Sequence, residues 1–176
     1  MVVTLSDGCI YLIESNAARN SDWITDHSGD PDAIDFATDN FNEGDDYIVI
    51  SKFTDYNVMS HTGVPVKQTG GGYQYDVKLG KRYHTISFSG IVSSLAAANK
   101  VEQMIMAPEH TETTGFARYF LIIRFAASSY QNFTDNKGTQ KEYCRCIIET
   151  GSIGWDADDP LIWTVSFNLK SVHKTT

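Results

Sequence analysis

Leu161-Ile162-Trp163-Thr164-Val165-Ser166-Phe167-Asn168-Leu169-Lys170 sets Leu161, Trp163, Val165, Phe167 and Leu169 against Ile162, Thr164, Ser166, Asn168 and Lys170. Successive side chains of a strand point to opposite faces, so this stretch predicts a strand with one face in a core and the other half wet. Further back, 82–89 has the same rhythm, with Ile86 and Phe88 between Thr85, Ser87 and Ser89. A turn at Gly80-Lys81 separates it from 73–79, where Tyr73, Tyr75, Val77 and Leu79 share a face opposite Gln74, Asp76 and Lys78. Segment 47–51 (Tyr-Ile-Val-Ile-Ser) reads as a short buried strand. Segment 116–125 is almost continuously apolar, which predicts burial on both faces, by the core and by a neighbour. Segment 143–150 adds a further strand, followed by a turn-rich 151–160. At the start, 2–5 and 9–13 flank Ser6-Asp7-Gly8 and read as a hairpin, because Asp-Gly supplies the positive φ a tight turn needs.

The sequence predicts one helix, at about 94–106, with Ser93 or Ser94 as N-cap and Pro108 preventing continuation. Leu95, Ala98, Val101, Glu102 and Ile105 fall on one stripe that, Glu102 apart, is apolar enough to cover a barrel end or a sheet face. The expectation is a single domain over 1–176, mainly β: an antiparallel β-sandwich or β-barrel with one flanking α-helix and a long extended loop at about 14–46.

A chain of 176 residues can bury a core without disulfides or metal. Its 41% hydrophobic and 20% charged content is that of a globular protein. The longest wholly apolar run is far short of the ~20 residues of a membrane helix, and the first residues lack a basic n-region and a long apolar h-region. No membrane segment and synthesis in a cytoplasm are therefore expected. With a formal net charge of -8, the chain lacks the basic footprint of a nucleic-acid binder.

Chemistry-bearing constellations are sparse. Cys9, Cys144 and Cys146 match neither a zinc nor a redox spacing and read as buried thiols. His27, His61, His84, His110 and His173 are scattered, with His84 read as a partly buried or edge residue, and no nucleophile elbow is present. Gly70, Gly71 and Gly72 lack the Gly-Lys-Ser/Thr ending of a phosphate loop. Between 20 and 46 there are nine acids and no Lys or Arg. Clustered carboxylates suit calcium, but Ile34 stands where an EF-hand needs its third ligand, so a charged loop is the simpler reading. No enzyme activity, cofactor or metal is expected. Trp23, Ile34, Phe36 and Phe41 interrupt the charge, which predicts a loop that packs on something.

The order of strands, mid-chain helix, long apolar strand and a two-strand finish bearing Glu149, Gly151, Ile153, Trp155 and Asp156 before 161–170 resembles the tail tube proteins of long-tailed viruses and the related tubes of contractile injection systems. The likeness covers roughly 73–172 and lies in element order and hydrophobic rhythm, without an invariant motif. It implies a virion-tail protein, made in the host cytoplasm, whose hexameric rings stack through extended loops into a tube that conducts DNA without binding it specifically. The implied partners are further copies of itself and other tail proteins. On this reading Trp23, Asp26, Asp30, Asp32, Ile34, Asp35, Phe36, Asp39 and Phe41 form a ring-stacking loop, and Gly70, Gly71, Gly72, Tyr73 and Tyr75 an inter-subunit hairpin. Deleting 26–40 is then expected to leave a folded subunit that cannot build a long tube. An acidic subunit suits a conduit, because Lys and Arg contacts would hold phosphates through counterion release, and a net-negative lumen is expected. The alternatives are another virion ring protein, such as a distal tail, tail terminator or head-tail connector protein, and a small barrel that binds a ligand or catalyses with Tyr73, Tyr75, His84 and Trp163.

Overall fold

Strand after strand pairs antiparallel until the last meets the first. The computed structural model describes residues 5–14, 30–34, 36, 41–61, 66–68, 74–76, 83–106, 119–135, 138–155 and 158–171. Its elements are β1 (Cys9–Glu14), a 3-10 turn (Pro31–Ala33), β2 (Tyr47–His61), β3 (Val66–Gln68), β4 (Gln74–Asp76), β5 (Tyr83–Val92), α1 (Leu95–Met106), β6 (Tyr119–Ala126), β7 (Ser129–Tyr130), β8 (Phe133–Thr134), β9 (Gln140–Lys141), β10 (Cys144–Trp155) and β11 (Trp163–Ser171). The order β1-β2-β5-β11-β10-β6 closes on itself where Glu14 to Cys9 of β1 run against Tyr119 to Arg124 of β6. The result is a six-stranded antiparallel β-barrel with one helix.

The alternation seen in the sequence fills the barrel. His84, Ile86, Phe88 and Val92 of β5, and Val165, Phe167 and Leu169 of β11, are buried on the inner face. Ile10, Leu12, Ile48, Ile50, Leu121 and Ile123 complete the same cluster. Each large side chain taken fully out of water contributes about 1.5–3 kcal/mol.

Both ends are covered. The residues Glu14, Tyr47, Val92, Tyr119 and Trp163 mark one end, and α1 lies across it with Ala97, Ala98, Val101 and Met104 buried in the inner cluster. Ser94 caps the helix, its Oγ accepting from the Ala97 N–H at 3.1 Å. At the other end Phe133 of β8 enters the core and meets the His84 ring edge-on at 5.7 Å.

Four expectations need correction. The buried stripe of α1 is rotated: Leu95 and Glu102 are exposed, while Ala97 and Met104 face inward. Small Ala residues let the helix approach closely, and a Cβ on Gly44 would stand 2.6 Å from that of Ala96. The predicted turn at 151–155 is strand, because Gly151 serves there as a point of close approach: a Cβ on it would lie 2.8 Å from Ile105 Cγ1. β1 pairs with β2 and β6, and the hairpin partner expected at 2–5 lies, except Leu5, outside the described residues. The turn itself forms, with Gly8 at φ 65°. Finally, β6 is buried on both faces over 119–123 but exposed at Phe125 and Ala126, 116–118 lie outside the described residues, and the second face is covered from within the chain by Ile34 and Phe36.

Candidate assembly surfaces

The acidic loop is anchored where it can be described. Ile34 and Phe36 are buried in a second cluster on the outside of the barrel with Tyr11, Tyr47, Phe120, Ile122 and Tyr130, and half-buried Phe41 packs against it. Phe36 stacks on Tyr47 at 4.1 Å between ring centroids. The surface that these apolar residues require is thus supplied by their own barrel.

A polar clasp holds the same segment. Asp30 caps the short 3-10 turn, accepting from the Asp32 N–H at 2.9 Å. The Asp32 carboxylate accepts from Tyr130 Oη at 2.5 Å and from Ser128 Oγ at 3.0 Å. Arg124 stands 3.7 Å from Asp32 and donates to Asp7 Oδ1 at 2.9 Å, so one guanidinium joins the loop to the turn before β1. The Tyr130 hydroxyl, then Ser128 and Arg124, hold the Asp32 carboxyl below the usual range. Burial first, and Asp32 second, push the Tyr130 phenol up. Burial and the charges of Asp30 and Asp32 raise Glu142. Trp23, Asp26, Asp35 and Asp39 lie outside the described residues.

Of the expected hairpin, Gly70, Gly71, Gly72 and Tyr73 also lie outside the described residues. Tyr75 stands in β4 opposite Lys67 of β3, in a two-stranded ribbon separate from the barrel sheet.

The outer face of β2, β5, β11 and β10 carries a pattern the sequence reading missed. Register brings Thr54, Ser89, Ser166 and Ser152 into one row across four strands, and Asn57, Ser87, Asn168 and Thr150 into the next. Ser152 and Ser166 share a hydrogen bond at 2.7 Å, and Asn168 Nδ2 donates to Thr150 Oγ1 at 2.8 Å. These eight side chains hold no charge in a chain of net charge -8. The polar half of each alternating segment was visible beforehand; its assembly into rows needed the register, above all the irregular stretch of β2.

The His and Cys side chains among the described residues lie within the chain's own packing and hydrogen bonds. His84 Nε2 donates to the Thr134 carbonyl at 3.0 Å, and its Nδ1 shares a hydrogen bond with Ser60 Oγ at 3.0 Å. His84 and Trp163 do not converge: eight residues of β5 separate His84 from Val92, the partner of Trp163, or about 26 Å of strand. Cys9, Cys144 and Cys146 are buried and unbridged, and burial raises the Cys144 thiol. His61 stacks on Tyr83 at 4.4 Å. Among the described residues no three acidic, His or Cys side chains come together as a metal site, and no helix is long and apolar enough to cross a membrane.

The fold defines a class, a closed six-stranded antiparallel β-barrel with one helix across an end. No known protein family and no curated protein matches the chain.

Proposed function

We propose that this protein is a structural subunit of a viral tail tube, assembling with its own copies into stacked, hexameric rings through which DNA passes. The reading is carried by the two uncharged hydroxyl and amide rows, which make a face suited to a passing duplex. Any Lys or Arg there would gain affinity by displacing counterions from the phosphates and so retard the DNA, whereas mutually bonded hydroxyls offer it only a hydrated surface. This refines the expected net-negative lumen to one with a neutral floor. The barrel interior, filled by Ile, Leu and Phe side chains, directs function to the outside of the molecule. The test is light scattering from micromolar to millimolar protein with negative-stain imaging of the same samples. Rings or tubes are expected; a monomer at every concentration would remove the proposal.

A further inference from the structure

On its side away from the barrel, α1 carries apolar side chains where a surface helix normally shows polar ones. Leu95, Asn99, Glu102 and Met106 fall on one stripe and are all exposed, opposite the buried Ala97, Ala98, Val101 and Met104. Leu95 is 63% exposed and Met106 76%, and at 1.5 Å per residue they stand about 16 Å apart along the axis. Two further apolar side chains flank the start of the stripe. Trp155 pairs with Trp163 and Trp163 with Val92, so the ends of β10, β11 and β5 lie side by side, with Leu161 two residues before Trp163 and Leu95 three after Val92. Neighbouring strands lie about 4.8 Å apart, which gathers Trp155, Leu161 and Leu95 into one patch. Such a patch marks an interaction surface.

Carboxylates are interleaved with these apolar groups. Glu102 stands in the stripe between Leu95 and Met106. Asp159 accepts from the Leu161 N–H at 3.2 Å. Asp45 follows Gly44, which lies against Ala96, the neighbour of Leu95. All three acids are exposed, whereas the base on α1, Lys100, is engaged by Glu14. Carboxylates set between apolar side chains attract cations set between apolar side chains. They repel the same surface of a second copy, and they repel an anionic lipid surface.

We propose that the α1 end docks a basic amphipathic helix of another protein. Three turns of helix laid along α1 span the distance from Leu95 to Met106. Its apolar face covers those two side chains, Leu161 and Trp155, and its Lys or Arg residues meet Glu102, Asp45 and Asp159. Apolar anchors at i, i+3, i+4 and i+7 are the pattern by which helices seat on apolar surfaces. The inference goes beyond self-assembly, because the partner it names is chemically unlike this chain, and its test does not require rings to form.

The probe is a fluorescently labelled 14-residue peptide of Leu and Lys with the leucines at helical spacing, and a sister peptide carries Glu for Lys. Binding is read by anisotropy at low salt, with circular dichroism confirming the fold of each variant. The Leu-Lys peptide is expected to bind the parent chain and the Leu-Glu peptide not to bind. Leu161→Asp should weaken binding about tenfold, the scale of a lost interface anchor, although it adds a negative charge. Glu102→Gln should weaken it severalfold, while Asp55→Asn, which removes the same charge from an exposed position on β2, should leave it unchanged. If Leu161→Asp binds as tightly as the parent or more tightly, or if Glu102→Gln and Asp55→Asn weaken binding equally, net charge alone holds the peptide and the site is wrong. Failure of the parent to bind would overturn the proposal; if Leu161→Asp then also sediments as a smaller species than the parent, the surface belongs to a second copy instead.

Discussion

Replacing Phe36 with Ala measures whether the acidic loop belongs to the folded unit. Phe36 is 3% exposed, stacks on Tyr47 with planes 11° apart, lies 6.0 Å from Tyr11 and meets Phe41 edge-on at 6.4 Å. Removing the ring forfeits about 2–3 kcal/mol of transfer energy and about 0.5–1.5 kcal/mol of aromatic contact. The total of about 2.5–4.5 kcal/mol overlaps the range for buried Phe→Ala changes. In a domain of this size that corresponds to a fall in Tm of about 5–18 °C. Urea titration followed by tryptophan fluorescence gives the free energy, and limited proteolysis of the folded protein reports cleavage within 15–46. Leu161→Ala is the control, an exposed apolar position expected to stay within about 0.5 kcal/mol of the parent. A loss below about 1 kcal/mol for Phe36→Ala, with unaltered cleavage, would show that the loop does not pack on the barrel and refute the reasoning.

Deleting 26–40 removes Asp32, Ile34 and Phe36 and bares Phe120 and Ile122, so thermal melting is expected to show at least the Phe36→Ala loss instead of the sound fold that the sequence alone suggested. Asp32→Asn tests the clasp by pH. A carboxyl depressed in the folded state stabilises fully above its unfolded value of about 3.9 and loses that contribution as pH falls through the depressed value. Loop cleavage in the parent should therefore rise as pH falls below about 4, with a flatter acid limb in the Asn variant; identical acid limbs would sink the idea. Gly44→Ala places a Cβ 2.6 Å from that of Ala96 at a backbone φ of 88°. Left-handed strain of about 1–2 kcal/mol and overpacking of about 1–3 kcal/mol predict a loss of about 2–5 kcal/mol in a urea titration, and a neutral result would contradict the helix seating.

What was legible in the sequence was what local periodicity encodes. Of the alternating 161–170, the part from Trp163 onward became β11 with Val165, Phe167 and Leu169 inside, while Leu161, expected on the core face, stands exposed before the strand, and Ser94 capped the helix where its side chain predicted. What failed depended on partners distant in the chain. Gly151 and Gly154 look like turn signals until the register places Ile105 and Thr164 against them. The helix stripe was misread because Ala97, apolar but small, competes poorly with Leu95 in a hydrophobicity pattern, although a short side chain is what allows close seating. The two neutral rows could not be read from any one segment, since β2 crosses them through register shifts between Ser51, Thr54 and Asn57.

The location of the loop changes where an assembly can find its binding energy. The outer face of β6 and the residues Ile34 and Phe36 are occupied by one another, so neither is available to a neighbouring copy without opening the clasp at Asp32. Backbone pairing remains possible at two places. β6 pairs only with Cys144 to Cys146 of β10, so among the described residues the rest of that strand, to Trp155, has β11 on one side and no strand on the other. The β3–β4 ribbon is likewise outside the barrel sheet, and a two-stranded ribbon is marginal by itself. Open strand edges are templates for another chain. The β10 edge runs to the α1 end, where the strand finishes on the exposed ring of Trp155. Any assembly of this subunit would therefore have to draw on the β10 edge and the exposed Trp155 beside it, because the apolar residues of the loop are already taken up by the barrel.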